Sequence, residues 1–140
     1  MNIIEKESAI IEEFSVFEDW MDKYAYIIDL GKSLPVIDEQ YKTDNFIIKG
    51  CQSQVWIHAS YENGRVYFTA DSDAVITKGI VNVLIRVLSG STPDEILEAS
   101  MSYIDKIGLK EHLSPTRANG LVSMIKQLKL YAMAFKAKGN

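Results

Sequence analysis

Asn63-Gly64, set between two runs that alternate apolar and polar residues, is the feature that most constrains this chain. A type I′ turn needs positive φ at both central positions, which Asn and Gly tolerate, and its twist matches that of the strands it joins. The turn fixes the register: Glu62 faces Arg65, Tyr61 faces Val66, Ala59 faces Phe68 and Ile57 faces Ala70. Side chains alternate along a strand, so Val55, Ile57, Ala59, Tyr61, Val66, Phe68 and Ala70 share one face. Trp56, His58, Ser60, Glu62, Arg65, Tyr67, Thr69 and Asp71 share the other. The first face is apolar and must be covered, whereas the second is expected to be largely wet.

The segments around the hairpin supply the cover. Helical spacing of Ile3, Ile4, Ile10, Ile11 and Phe14 predicts a helix over residues 3–13. Ser15-Val16-Phe17-Glu18 reads as a capping box opening a second helix that buries Phe17, Trp20, Met21, Tyr24, Ile27 or Ile28, and Leu30, and stops at a left-handed Gly31. A connection of about a dozen residues follows, long enough to do more than join elements. Residues 45–49 read as a third strand. Asp71-Ser72-Asp73 reads as an N-cap cluster for an apolar helix over residues 74–88, in which Gly79 implies close approach of another backbone. Thr92-Pro93-Asp94-Glu95 combines a capping box with Pro at the first helical position. A short helix around residues 103–107 ends at Gly108, and Ser114-Pro115 opens a long C-terminal helix burying Leu121, Met124, Ile125, Leu128, Ala132 and Phe135. The expected architecture is α+β: a three-stranded antiparallel sheet with helices packed on one face. Residues 1–140 are expected to form one domain.

Charge and composition narrow the function. Net charge is −4, with no basic stripe to neutralise phosphates, so nucleic acid is not an expected partner. The longest apolar run, Ile80 to Leu88, is interrupted by Asn82 and Arg86 and falls short of the roughly 20 residues of a membrane span. The first residues have neither the basic start nor the apolar core of a signal peptide, so the expected location is the cytoplasm, with no membrane association. The chain has one cysteine and two histidines, which excludes an internal disulfide and a CxxC pair and leaves a zinc or cluster site short of ligands.

That one cysteine, Cys51, lies in Lys49-Gly50-Cys51-Gln52-Ser53-Gln54, a small and polar stretch between apolar runs. A lone cysteine is ordinarily a small core hydrophobe, but loops run over the surface and carry function, and Gly50 lets the tip turn sharply. The thiolate is the reactive form and is scarce near neutrality unless something activates it; Lys49 is the nearest cation in sequence. His58 lies several residues down the strand, opposite Thr69, and reads as a solvated side chain. His112 has no evident partner. Arg117 and Asn119 fall in the first turns of the C-terminal helix, where an arginine opposes the helix dipole and therefore either pairs with a carboxylate or is aimed at something else. Gly120 reads as close packing.

Gly50-Cys51-Gln52-Ser53-Gln54-Val55-Trp56 resembles the SufE/CsdE sulfur-acceptor family. So do Leu30-Gly31-Lys32-Ser33-Leu34-Pro35 before it, Asp71-Ser72-Asp73-Ala74 and Lys78-Gly79 after it, and the run from Leu113 to Leu121. Ala118 stands where the family more usually has serine, so no hydroxyl contact is carried over there. The resemblance implies a SufE/IscU-like fold and a protein without a cofactor of its own. Its partner would be a cysteine desulfurase that uses pyridoxal phosphate and holds sulfur as a persulfide. Cys51 would take that sulfur and pass it to a downstream iron–sulfur scaffold, the protein acting as monomer or homodimer and as a carrier and activator rather than an enzyme. Gly50, Gln52, Ser53 and Gln54 would support the loop, and Arg117 and Asn119 the encounter with the partner. In the family the thiol can lie turned inward beneath its loop, which would make Gly50 a hinge. Two other readings stand beside this one: an iron–sulfur scaffold-like or interaction module with a non-carrier cysteine, and a cysteine hydrolase, for which no Cys–His–Asp set is visible.

Overall fold

The hairpin forms as its turn requires. In the computed structural model, which describes residues 2–51 and 53–139, β1 (Val55–Glu62) and β2 (Arg65–Ser72) pair antiparallel, Glu62 opposite Arg65 and Ile57 opposite Ala70. Asn63 and Gly64 carry φ of 51° and 78°, the left-handed pair of the type I′ turn. Val55, Ile57, Val66, Phe68 and Ala70 are buried. They pack against α3 (Val75–Leu88), which is buried around most of its circumference, and β1 also meets α6 (Pro115–Gly139). The Tyr131 hydroxyl of α6 donates to the Ile57 carbonyl at 2.8 Å.

Against α3 pack α1 (Ile3–Ser15) and α2 (Trp20–Leu30), while α4 (Pro93–Glu98) lies against α6 and α5 (Tyr103–Lys106) against α1. The Thr92 capping box and Pro93 open α4 as expected. The fold is α+β, with helices on the apolar face of the sheet. Among the described residues no helix is long and apolar enough to cross a membrane.

The sheet has two strands rather than three. Residues 45–49 contribute one antiparallel bridge, Ile47 to Trp56, with the Ile48 amide donating to Val55 at 2.7 Å and the Ile57 amide to Phe46 at 3.0 Å. A turn closed by Phe46 and Thr43 precedes the bridge and Gly50, at φ 91°, follows it. Only a residue or two between them keeps ladder geometry.

One helix start and one glycine conformation also differ from expectation: α2 ends at Leu30, before Gly31, as expected, but not by a left-handed turn. Asp19, not Ser15, caps α2, accepting from the Asp22 amide at 2.9 Å, while the Ser15 hydroxyl donates back to Glu12; a carboxylate at the cap suits the positive end of the helix. Met21 consequently points outward, 82% exposed. Gly31 has φ −61° and continues into a 3-10 turn, Gly31–Ser33. It is glycine because a Cβ there would come within 3.0 Å of the Gly79 nitrogen. The buried Asn82 side chain donates to the Leu30 carbonyl at 2.7 Å, satisfying an acceptor that the helix end leaves open.

The outer face of the hairpin is drier than alternation predicts. The segment between α2 and β1 bridges the far edge of β2 at Val36–Ala70 and the far edge of β1 at Ile47–Trp56. In crossing, it lays Tyr41 flat on His58 at 3.8 Å, with Phe46 edge-on at 5.2 Å. His58 is thus a half-buried member of an aromatic stack, and burial lowers its pKa. The segment is also clipped by charge: Asp71, only 8% exposed, pairs with Lys42 at 2.6 Å and with Lys78 of α3 at 3.3 Å. Burial alone would raise the Asp71 pKa, but Lys42, the Ser72 amide and Lys78 outweigh it and hold the carboxyl below its usual range. A depressed folded-state pKa contributes stability that is complete above the unfolded value of about 3.9 and is lost as pH falls through the folded value. Asp71→Asn is expected to lower stability by about 1–2 kcal/mol at neutral pH, because both lysines keep some solvent. Urea melts of variant and wild type should converge in strong acid; a gap that persists there would mean that the charge is not responsible.

Candidate functional site

Cys51 sits at the end of the loop that Gly50 turns, and its placement depends on three separate parts of the chain. Behind it, the Asp71-Ser72-Asp73 cluster secures the loop, and Ser72 Oγ also accepts from the Ala74 amide at 3.2 Å; α3 itself opens at Val75, after Ala74, without a side-chain cap. The Gln54 amide donates to Asp73 Oδ1 at 3.0 Å, the Ser72 hydroxyl donates to the Gln54 carbonyl at 2.7 Å, and the Ser53 and Thr77 hydroxyls lie 3.1 Å apart. Beneath it runs α6. The Cys51 Sγ–H points to the Gly120 carbonyl at 3.7 Å, and a Cβ on Gly120 would sit 3.2 Å from the sulfur. A side chain on Gly50 would meet the Ser123 hydroxyl at 2.9 Å, so both glycines let the loop lie against the helix.

In front of the sulfur is a cavity of about 180 Å³, lined by Cys51, Ser53, Ala74, Thr77, Ile80, Thr116, Arg117, Gly120 and Met124. Polar groups and apolar walls alternate around it. Arg117 is its cation. Its backbone amide donates to Ser114 Oγ at 3.3 Å and its Nη1 to the Tyr24 hydroxyl of α2 at 2.6 Å. Among the described residues no carboxylate lies within salt-bridge distance of it.

The Cys51 thiol is half-buried, and burial pushes its pKa up, because desolvation disfavours the thiolate. The resting sulfur is therefore a protected thiol. Iodoacetamide should alkylate it more slowly at pH 8 than in the unfolded chain. The pH midpoint of alkylation should lie above the ordinary value of about 8.5; a midpoint below it would show that the folded site already holds a thiolate.

The other expected residues divide clearly. Ser53 and Arg117 reach the cavity, and Gly50 and the Gln54 backbone shape the loop, while the Gln54 side chain is exposed. Asn119 is exposed and does not line the cavity. Gln52 lies outside the described residues. His58 is on the outer face of the hairpin, and His112 stacks on Trp20 at 4.1 Å with its Nδ1 2.9 Å from the Gly108 carbonyl. Neither histidine lines the cavity. Among the described residues no three His, Cys, Asp or Glu side chains cluster to hold a metal ion. Sequence reasoning missed Thr77, Thr116, Met124 and Tyr24. Thr116, Gly120 and Met124 recur every four residues, so one stripe of α6 was readable in principle; Tyr24 is 93 residues from Arg117 and left no such signal.

Comparison with known proteins gives a consistent picture. A family profile described as "SufE: Fe-S metabolism associated domain" matches residues 8–132. An uncharacterized SufE-like protein of Rhizobium meliloti is 42% identical over 125 residues, covering 86% of this chain and 89% of that one. One from Synechocystis is 39% identical over 127 residues, covering 91% and 80%. SufE-like protein 1, chloroplastic/mitochondrial, of Arabidopsis thaliana is 37% identical over 136 residues, 96% of this chain but only 37% of the longer plant protein. The solution structure of a hypothetical protein from Thermus thermophilus superposes with a TM-score of 0.76 at 21% identity, covering 92% and 94% of the two chains, a likeness of fold.

Proposed function

The chain belongs to the SufE family of Fe-S metabolism associated domains, and from that premise we propose that residues 1–140 act as one sulfur-acceptor domain whose carrier atom is Cys51 Sγ. The supporting observation is the cavity itself: the chain's only cysteine meets a small, half-open cleft beside a cation that has no carboxylate partner among the described residues. The donor is a cysteine desulfurase holding a persulfide. Cys51 thiolate attacks the outer sulfur of the donor's Cys–S–SH. A new Sγ–S bond forms, the donor's S–S bond breaks, and the electron pair leaves on the desulfurase cysteine as thiolate. Cys51 then carries –S–SH. This is thiol exchange at sulfur, governed by thiolate fraction, leaving group and access.

Burial fits a carrier better than a freestanding nucleophile. A thiol whose pKa is raised reacts poorly until the donor's site receives it, and a persulfide withdrawn into the cavity is shielded from the oxidation ladder open to exposed sulfur. Drawing sulfur off also clears the desulfurase for its next turnover, which is how an acceptor stimulates it. The sulfur then passes to an iron–sulfur scaffold. Thiol carriage requires a reducing compartment, and the cytoplasm is the setting we assign. The test is to incubate the protein with its organism's desulfurase and L-cysteine and weigh it intact. One added sulfur atom, removable by dithiothreitol, is expected; unchanged mass alongside an active desulfurase would refute the carrier role.

A further inference from the structure

Arg117 poses a problem that the carrier role alone does not resolve. It lies in the first turn of α6, where a cation opposes the helix dipole by about 0.3–1 kcal/mol, and no carboxylate among the described residues compensates it. A free arginine side chain there also has rotamer entropy of about 2 kcal/mol favouring excursions into water. Yet the guanidinium is held, and held by a neutral group: the Tyr24 hydroxyl accepts from Nη1 at 2.6 Å. A phenol takes one of five N–H donors without neutralising the charge, so the others stay available toward the cavity. Tyr24 is itself braced. Its ring meets Trp20 edge-on at 6.3 Å, and Trp20 stacks on His112 at 4.1 Å, just before α6 begins.

We infer that Tyr24 is a positioning residue: it fixes the Arg117 guanidinium at the wall of the Cys51 cavity, so that the remaining donors meet the negative charge spread over the sulfurs during transfer. The idea rests on the sulfur-acceptor reading above. A cation oriented before reaction stabilises developing charge without reorganising, and a hydrogen bond to a neutral acceptor orients it without cancelling its field. In the resting site the one hydrogen-bond partner of Cys51 Sγ among the described residues is the Gly120 carbonyl, not Arg117 or Tyr24. The effect belongs to the transfer step and not to the resting thiol.

The test is a double-mutant cycle in single-turnover transfer from a persulfide-loaded desulfurase. Tyr24→Phe should melt with wild type and transfer about tenfold more slowly, the scale of one hydrogen bond to a charged group. Arg117→Ala should be slower still, and adding Tyr24→Phe to it should cost nothing more. An unaltered rate in Tyr24→Phe, or the same tenfold loss in both backgrounds, would overturn the inference. Nitrogen-15 relaxation of the Arg117 side chain supplies a readout without any donor. Tyr24→Phe should raise guanidinium mobility, and equal order in the two proteins would overturn the positioning role even if wild type took up no sulfur, a result that by itself would count against the carrier reading alone.

Discussion

Cys51→Ser is expected to take up no sulfur from a loaded desulfurase and to leave that enzyme unstimulated, a complete loss rather than a graded one. A serine hydroxyl cannot form the S–S bond on which exchange depends, and its proton is held far more tightly than a thiol's. The substitution is otherwise mild. The smaller hydroxyl falls short of the Gly120 carbonyl, which the sulfur reaches at 3.7 Å, but the site is only half-buried, so water can take that bond. Stability should change by less than about 1 kcal/mol. Intact mass after incubation checks the first expectation and a denaturant melt the second. Equal sulfur on variant and wild type would place the carrier atom elsewhere; loss of sulfur together with a collapse in stability would leave Cys51 a packing residue.

Gly79→Ala should have the largest effect on folding, a destabilisation on the order of 3 kcal/mol or more. A Cβ at this position would stand 2.6 Å from the Ile27 carbonyl carbon and nearer still to its oxygen. The obstacle is backbone in the last turn of α2, so no side-chain rotation relieves it. The two helices would have to separate, lifting Ile27 away from α3 and with it the Asn82–Leu30 hydrogen bond. The gain in helix propensity over glycine, about 1 kcal/mol, does not offset this. Because α3 also carries Thr77 and Ile80 to the cavity, the site should loosen along with the fold. Urea denaturation measures the effect; stability equal to wild type would mean that the crossing is not as close as described.

Where interactions run between near neighbours, residue types alone mostly determined the outcome. Asn63-Gly64 set the strand register, Thr92 to Glu95 opened α4, and Ser114-Pro115 opened α6, each through contacts within three or four positions, whereas the equally local Ser15 to Glu18 box lost α2 to Asp19. Gly79 announced a close approach without naming its partner, and Cys51 raised the expectation of a functional loop without revealing its setting. Those required the folded chain. The third strand shrank to one bridge because flanking turns left no room, Gly31 ended α2 in a right-handed conformation at a helix crossing, and the Asp71 to Asp73 cluster served the loop and the lysines without supplying a side-chain N-cap to α3. The position of Asn119 on the exposed side of α6 was likewise a matter of which helix face found the core.

The same division applies to the active loop. Composition and spacing established one cysteine, preceded by a glycine and followed by a register-pinned strand, and the family resemblance said what such a cysteine carries. Only the tertiary structure decided that the sulfur rests half-buried against the Gly120 carbonyl, that it faces a cavity, and that the cation there is held by a phenol 93 residues away. Burial, and through it the raised thiol pKa, is a sum over all neighbours in space. No local pattern in a sequence encodes that sum, whereas a turn or a cap is complete within its own few residues.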